Sequence, residues 1–175
     1  MNNLSILPEC FVDTNLTETL LQGIGVNHQK GCGTVANRMK TTFNDAFAVG
    51  IIDKDKHQLE YLKQFTEVKK TDHLILHKHP QKHHYIIQIT PAIEKFIIQS
   101  MNDAGLEKAD YNLPDDFDKF RKVMKSINSK ADPNLKELFG RLVLEEVPQV
   151  LLLKRWLTYL NEKVYNVDVA ELQKL

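Results

Sequence analysis

Three acidic side chains, Glu9, Asp53 and Asp55, carry the chemistry most directly readable in this chain. The two aspartates lie in Ile51-Ile52-Asp53-Lys54-Asp55, and Glu9 follows the short apolar stretch Leu4 to Pro8. In an open α/β sheet, functional side chains collect at the carboxyl ends of strands. Alternate residues of an extended segment point the same way, so Asp53 and Asp55 can project into one crevice. Carboxylates brought that close repel one another. A divalent cation relieves the repulsion, and ligation by oxygen alone suits Mg2+ or Mn2+. A lone D-x-D after an apolar strand is more often a solvated loop. The expectation of a metal site therefore rests on the two strand ends together.

The elements that must position these acids alternate strand with helix. Phe47-Ala48-Val49-Gly50-Ile51-Ile52 is apolar on both faces, as a central parallel strand should be, and runs straight into Asp53. Before it come a strand over Leu4 to Pro8 and a helix with Val12, Leu16 and Leu20 at helical spacing. Asn15 and Glu18 form a capping-box pair on that helix. Gly23-Ile24-Gly25 ends it, and Gly25 to His28 reads as a second short strand. The turn Lys30-Gly31-Cys32-Gly33 leads into a helix with Val35, Met39 and Phe43 on one face. Leu74-Ile75-Leu76 and Tyr85-Ile86-Ile87-Gln88-Ile89 are strands joined by a polar hairpin connection over Lys78 to His83. Pro91 suits the first turn of a helix carrying Ile93, Phe96, Ile97 and Met101. Beyond Pro114 the pattern is helical throughout. One stripe carries Phe117, Phe120, Met124 and Ile127, a second Leu135, Leu138, Phe139 and Leu142, and a third Val150, Leu153, Trp156, Leu157 and Leu160.

This order predicts an α/β fold: a mostly parallel sheet of about four to five strands flanked by helices, with a helical C-terminal extension packed on it. The break around Tyr111 to Asp116 divides an α/β domain over 1–110 from the extension over 111–175.

Composition narrows the function classes. The 23 Lys+Arg balance the 23 Asp+Glu, so no global charge announces a nucleic-acid or membrane partner. A nucleic-acid enzyme would need a local basic surface. No run approaches membrane-spanning length and no signal peptide is legible, so a cytoplasmic location without a membrane partner is expected. Two cysteines, Cys10 and Cys32, make no disulfide framework. The apolar C-terminal stripes read as core or as the surface of a homodimer.

Weaker candidates surround the main site. Asp13, four residues after Glu9, serves equally as a helix-start acid. Glu94 opens a helix after a strand, where a surface salt bridge is its commoner use. Lys30, Gly31 and Gly33 before a helix could cradle a phosphate on backbone N–H groups, though a plain turn is the first reading. Five histidines, His73, His77, His79, His83 and His84, cluster at spacings that match no zinc motif. His83 or His84 would serve as a proton donor if it faced the crevice.

The order of Glu9 after the first strand, a glycine-rich turn before the second helix, and then Ile51-Ile52-Asp53-Lys54-Asp55 resembles the Toprim domain. Gly31-Cys32-Gly33-Thr34-Val35 is similar to the turn and helix start of OLD-like members of that family. The resemblance covers about Leu4 to Lys56 and implies a Mg2+ site. Glu9 would be ligand or general acid/base, and Asp53 and Asp55 would hold the metal. It implies phosphoryl transfer of nuclease-like type, with nucleic acid or a nucleotide as partner. Cys10 stands where that family usually has glycine, and Pro8 immediately precedes Glu9. Pro8 is tolerable at a strand end, whereas Cys10 and the neutral overall charge favour the alternative, a non-catalytic module of the same fold that binds nucleotide or protein or regulates.

Overall fold

The computed structural model describes residues 2–54 and 60–175, and of Asn2 the backbone only. Its main sheet has five strands in the order β2 (Ile6–Pro8), β4 (Ala48–Asp53), β7 (His84–Ile89), β6 (Leu74–Lys78) and β5 (Thr66–Lys70). A small parallel pair joins β1 (Asn2–Asn3) to β3 (Gly25–Val26), and the chain after β3 runs on beside β2. There Asn27 N–H donates to Ile6 O at 3.0 Å and Gln29 N–H to Pro8 O at 2.8 Å.

The expectation of a mostly parallel sheet is corrected. β4 is parallel to β2 and β7, but β7 to β6 and β6 to β5 are antiparallel. The physical reason lies in the connections. The links between β5 and β6 and between β6 and β7 are a few residues long, and short links can only return the chain antiparallel; a parallel return needs a crossover of a dozen residues or more. β5 is an edge strand blunted by a register shift between Glu67 and Lys69.

Helices cover both faces. On one lie α1 (Phe11–Leu20), α3 (Ile93–Ala104), α4 (Phe117–Lys125), α5 (Pro133–Leu144) and α6 (Pro148–Lys163), around a core that includes Val49, Ile51, Tyr85 and Ile87. On the other, α2 (Cys32–Lys40) and the 3-10 turn over Glu60–Gln64 bury Ala48, Ile52 and Ile86. Tyr111 and Leu113, in the stretch expected to be a boundary, are buried in the first of these cores. So is the whole stripe from Val150 to Leu160, and a short final helix, α7 (Val169–Lys174), adds Leu172 to it.

α1 is buried nearly all round because it lies between the sheet and the later helices. Val12, Leu16 and Leu20 face the core as their spacing requires. The helix starts earlier than the capping-box reading placed it: Cys10 is the N-cap, its sulfur accepting the Asp13 N–H at 3.5 Å. Asn15 spends its amide elsewhere, donating to Ser129 O at 2.8 Å and Asp132 O at 3.1 Å. Glu18 accepts from Val26 N–H at 3.1 Å. A buried amide must find partners, and here tertiary carbonyls supply them. Pro91 likewise precedes α3, whose N-cap is Ala92.

Gly50 sets how closely α2 approaches β4. A Cβ there would stand 2.8 Å from Val35 Cγ1 and 3.2 Å from Met39 Sδ. Gly50→Ala is expected to cost roughly 1–3 kcal/mol, since overpacking forces a stiff β-branched neighbour to move. A urea unfolding midpoint unchanged from the native chain's would refute this.

Candidate functional site

The parallel pairing of β2 with β4 brings two of the three expected ligands side by side. Pro8 pairs with Ile51, so Glu9 and Asp53 emerge at neighbouring strand ends. Glu9 is stitched in place by its backbone, its N–H donating to Ile51 O at 3.0 Å and its carbonyl accepting Gly31 N–H at 2.8 Å. That bond commits the Gly31 N–H, which the phosphate-cradle expectation over Lys30, Gly31 and Gly33 would have needed. Gly31 takes φ +90° at the N-cap of α2, a conformation suited to glycine.

Asp53 shares a face with Val49 and Ile51 and so points toward α1 and α3. Its Oδ1 accepts the Ile93 N–H at 2.8 Å, at the start of α3. Glu94, the next residue, is 5% exposed. Asp13, one turn into α1, is fully buried, and neither of its carboxylate oxygens has a hydrogen-bond partner among the described residues. Asp55 lies outside the described residues.

These acids feel one another. Burial pushes Asp53 up to about 9, with the charges of Asp13, Glu9 and Glu94 adding to the effect and the Ile93 N–H opposing it. Burial pushes Asp13 up to about 6, partly offset by the Cys10 thiol that faces it. The Cys10 thiol is itself held far above its ordinary range by burial and then by Asp13. It is a poor nucleophile at neutral pH, because the thiolate is the reactive form. A site that raises several acids together holds protons where solvent would remove them.

The acids open onto a cleft of about 640 Å³, lined among others by Glu9, Cys10, Asp53 and Glu94. Its rim carries the opposite charge: Lys54, Lys95, Arg121 and Lys125, all exposed. Lys125 Nζ stands 4.0 Å from Glu94 Oε1 and is the rim's direct link to the floor. α4 supplies Arg121, Lys125 and also Phe117, which lines the cleft at 40% exposure instead of joining the core beside Phe120 and Met124. Sequence reading missed this rim. Its only trace was the spacing of Phe117, Arg121 and Lys125 at i, i+4 and i+8, one side of a helix.

In donor chemistry the cleft suits a hard divalent cation, offering the carboxylates of Glu9, Asp53 and Glu94 in its lining, while Asp13 is buried and does not line it. Of the expected trio, the described residues include Glu9 and Asp53. Among the described residues no group of three or more His, Cys, Asp or Glu side chains is arranged to hold a metal ion.

The histidines have other duties. His84 starts β7 opposite Ala48, at the far end of the sheet from Asp53, and His83 precedes it. Neither is placed to donate a proton in the cleft. His84 is fully buried, with Nδ1 2.6 Å from the Tyr61 hydroxyl and Nε2 2.8 Å from Phe43 O. His83 packs edge-on against Tyr165. His77 Nε2 is 2.8 Å from Gln88 Oε1, and His79 Nδ1 accepts the Gln81 N–H at 3.1 Å.

By fold the chain is an α/β protein with a mixed five-stranded sheet flanked by helices. Among the described residues no helix is long and apolar enough to cross a membrane. No protein-family profile, no curated protein and no solved structure matches it.

Proposed function

We propose that this is a metal-dependent phosphoryl-transfer protein of Toprim type, nuclease-like, acting on nucleic acid in the cleft between the strand ends and α4. The observation that carries the reading is the crowding of Glu9, Asp13, Asp53 and Glu94 around two adjacent parallel strand ends, with Asp13 buried and its oxygens unsatisfied. Such a cluster is costly unless protons or a cation neutralise it. Glu9 and Asp53 would hold Mg2+ or Mn2+, with Asp13 and Glu94 adding negative charge behind them. Once bound, the cation polarises a phosphate and lowers the pKa of water.

The chain's own residues do the rest. The Ile93 N–H fixes the orientation of Asp53, leaving its second oxygen for the cleft. In the cation-free cleft Asp53 keeps its proton at neutral pH. Where Glu9 is not itself a ligand, it is the half-buried group at the wall that would exchange a proton with a substrate or water oxygen.

The test is a Mn2+ titration followed by calorimetry and thermal melting, beside turnover of DNA, RNA and nucleotides. Mn2+ is expected to raise the melting temperature by several degrees, since a ligand that binds only the folded state stabilises it. Asp53→Asn should abolish that shift and slow turnover by about 100-fold or more, losing a charged ligand and the groups it orients. A native protein with no shift and no turnover on any substrate refutes the reading.

A second reading is favoured by Cys10. Its thiol fills the place of the family's glycine and caps α1, which suits a non-catalytic module that binds nucleotide or protein. That module would bind its ligand equally well in EDTA. A homodimer, if formed, would have to use residues other than the Val150–Leu160 stripe, which the core consumes.

A further inference from the structure

We infer that the side of α4 formed by Phe117, Arg121 and Lys125 is a recognition element for one unpaired nucleotide unit, taking the base on the Phe117 ring and its phosphate between Arg121 and Lys125. The assignment rests on reading the cleft as a phosphate-handling site and names what that site recognises.

Four observations support it. Phe117 is a large aromatic side chain left 40% exposed, and it lines the cleft. Arg121 and Lys125 follow it one and two turns along the same side of the helix and line the same cleft. Asp118 lies 3.3 Å from Arg121 and anchors the guanidinium side of the helix without covering it, both side chains being at least half exposed. Lys54 and Lys95 line the same cleft and complete its positive rim.

An aromatic ring beside a guanidinium and an ammonium is the chemistry that holds a stacked base and its phosphate. A purely acidic cleft would repel phosphate, and a purely apolar one would not select it. The size also discriminates. About 640 Å³ is the scale of a pocket for a small molecule rather than a groove that tracks a duplex. The equal numbers of basic and acidic residues leave no excess charge for a long phosphate backbone. The unit recognised therefore has an accessible base face, as in a free nucleotide or a single-stranded segment.

The experiment measures binding of adenosine monophosphate and of a labelled six-residue oligothymidylate in Mn2+ and in EDTA. Covalently closed circular duplex DNA serves as competitor. Native protein is compared with Phe117→Ala and with the double variant Arg121→Glu, Lys125→Glu. All three side chains are exposed, so the folds are expected to persist, with melting curves as the check.

Native protein is expected to bind at least one of the two probes, and which one identifies a free nucleotide or a single strand as the source. Each variant should bind it about ten-fold more weakly or worse, on the scale of one lost stacking or phosphate contact. The Mn2+ melting shift should survive in Phe117→Ala. Variants that bind like the native chain overturn the inference, as does closed duplex that competes as well as the probes. Absence of probe binding alongside an intact Mn2+ shift overturns it too, while sparing the reading of the acidic floor. Probe binding in EDTA with no Mn2+ shift does the reverse.

Discussion

Asp13→Ala should melt at a higher temperature than the native, cation-free protein, by about 3–6 °C at pH 7.5. Most substitutions of fully buried residues destabilise, so the sign is diagnostic. Asp13 has no exposed surface and no hydrogen-bond partner for either oxygen among the described residues. Burial raises its carboxyl to about 6, so at pH 7.5 the folded chain carries a largely ionised acid where water cannot reach it. A buried charge eased only in part by the facing Cys10 thiol costs more than the few contacts its small side chain makes. Asp53 adds to the strain through its own shift to about 9.

The pH dependence follows in sign. Both acids have folded values above the ordinary 3.8, so the folded state holds protons that the unfolded chain releases. Their contribution is fully present below about pH 4 and is lost as pH climbs through 6 and on to 9. Native protein should therefore lose stability between about pH 5 and 9, and Asp13→Ala should lose less. Mn2+ should shrink the difference between them by neutralising the cluster. Differential scanning calorimetry across that range decides it; an Asp13→Ala protein that melts lower than native at every pH would show the carboxylate to be satisfied.

His84→Ala should cost about 3–5 kcal/mol, read from urea unfolding. The ring is fully buried and binds three elements together. Since carbonyls only accept, Nε2 carries the hydrogen and donates to Phe43 O at 2.8 Å and Ala46 O at 3.1 Å. Nδ1 then accepts from the Tyr61 hydroxyl at 2.6 Å. Truncation leaves the Tyr61 hydroxyl without this acceptor, takes a shared donor from the Phe43 and Ala46 carbonyls, and opens a cavity between β7 and the 3-10 turn. Burial holds His84 below its ordinary 6.5, and His77 and His79 move the same way for the same first cause. These rings support the fold above pH 6.5 and lose that contribution as pH falls through their lowered values. With the acids losing theirs as pH rises, stability should peak near mildly acidic pH. A loss under about 1 kcal/mol for His84→Ala would mean that the pocket relaxes around the gap.

Local patterning was enough for several parts of this protein. The run from Phe47 to Ile52 could only be a buried strand parallel to its neighbours, because it is apolar on both faces, and it is flanked by parallel β2 and β7. The stripes at Leu135, Leu138, Phe139 and Leu142 and at Val150 to Leu160 had the period of helices with one face inward, and they are core. Carboxylates after strand ends were legible for the same reason. Period two and period 3.6 are properties of the backbone, independent of what packs on it.

Glu9, Asp53 and Asp55 were readable as acids at strand ends, and only the tertiary structure decided what surrounds Glu9 and Asp53. The β2–β4 register sets Glu9 beside Asp53, and packing of α1 and α3 adds Asp13 and Glu94, whose positions alone pointed to helix starts or surface ion pairs. The direction of the β5, β6 and β7 pairings, the role of Asn15 in reaching Ser129, and the retreat of His84 from the acidic end were likewise settled by long-range contacts. The basic rim is the clearest case. Phe117, Arg121 and Lys125 share a helix side in the sequence, but whether that side meets solvent, core or a cleft depends on where α4 docks. Docking follows from the burial of Phe120 and Met124 against elements some hundred residues away, and no local pattern encodes it.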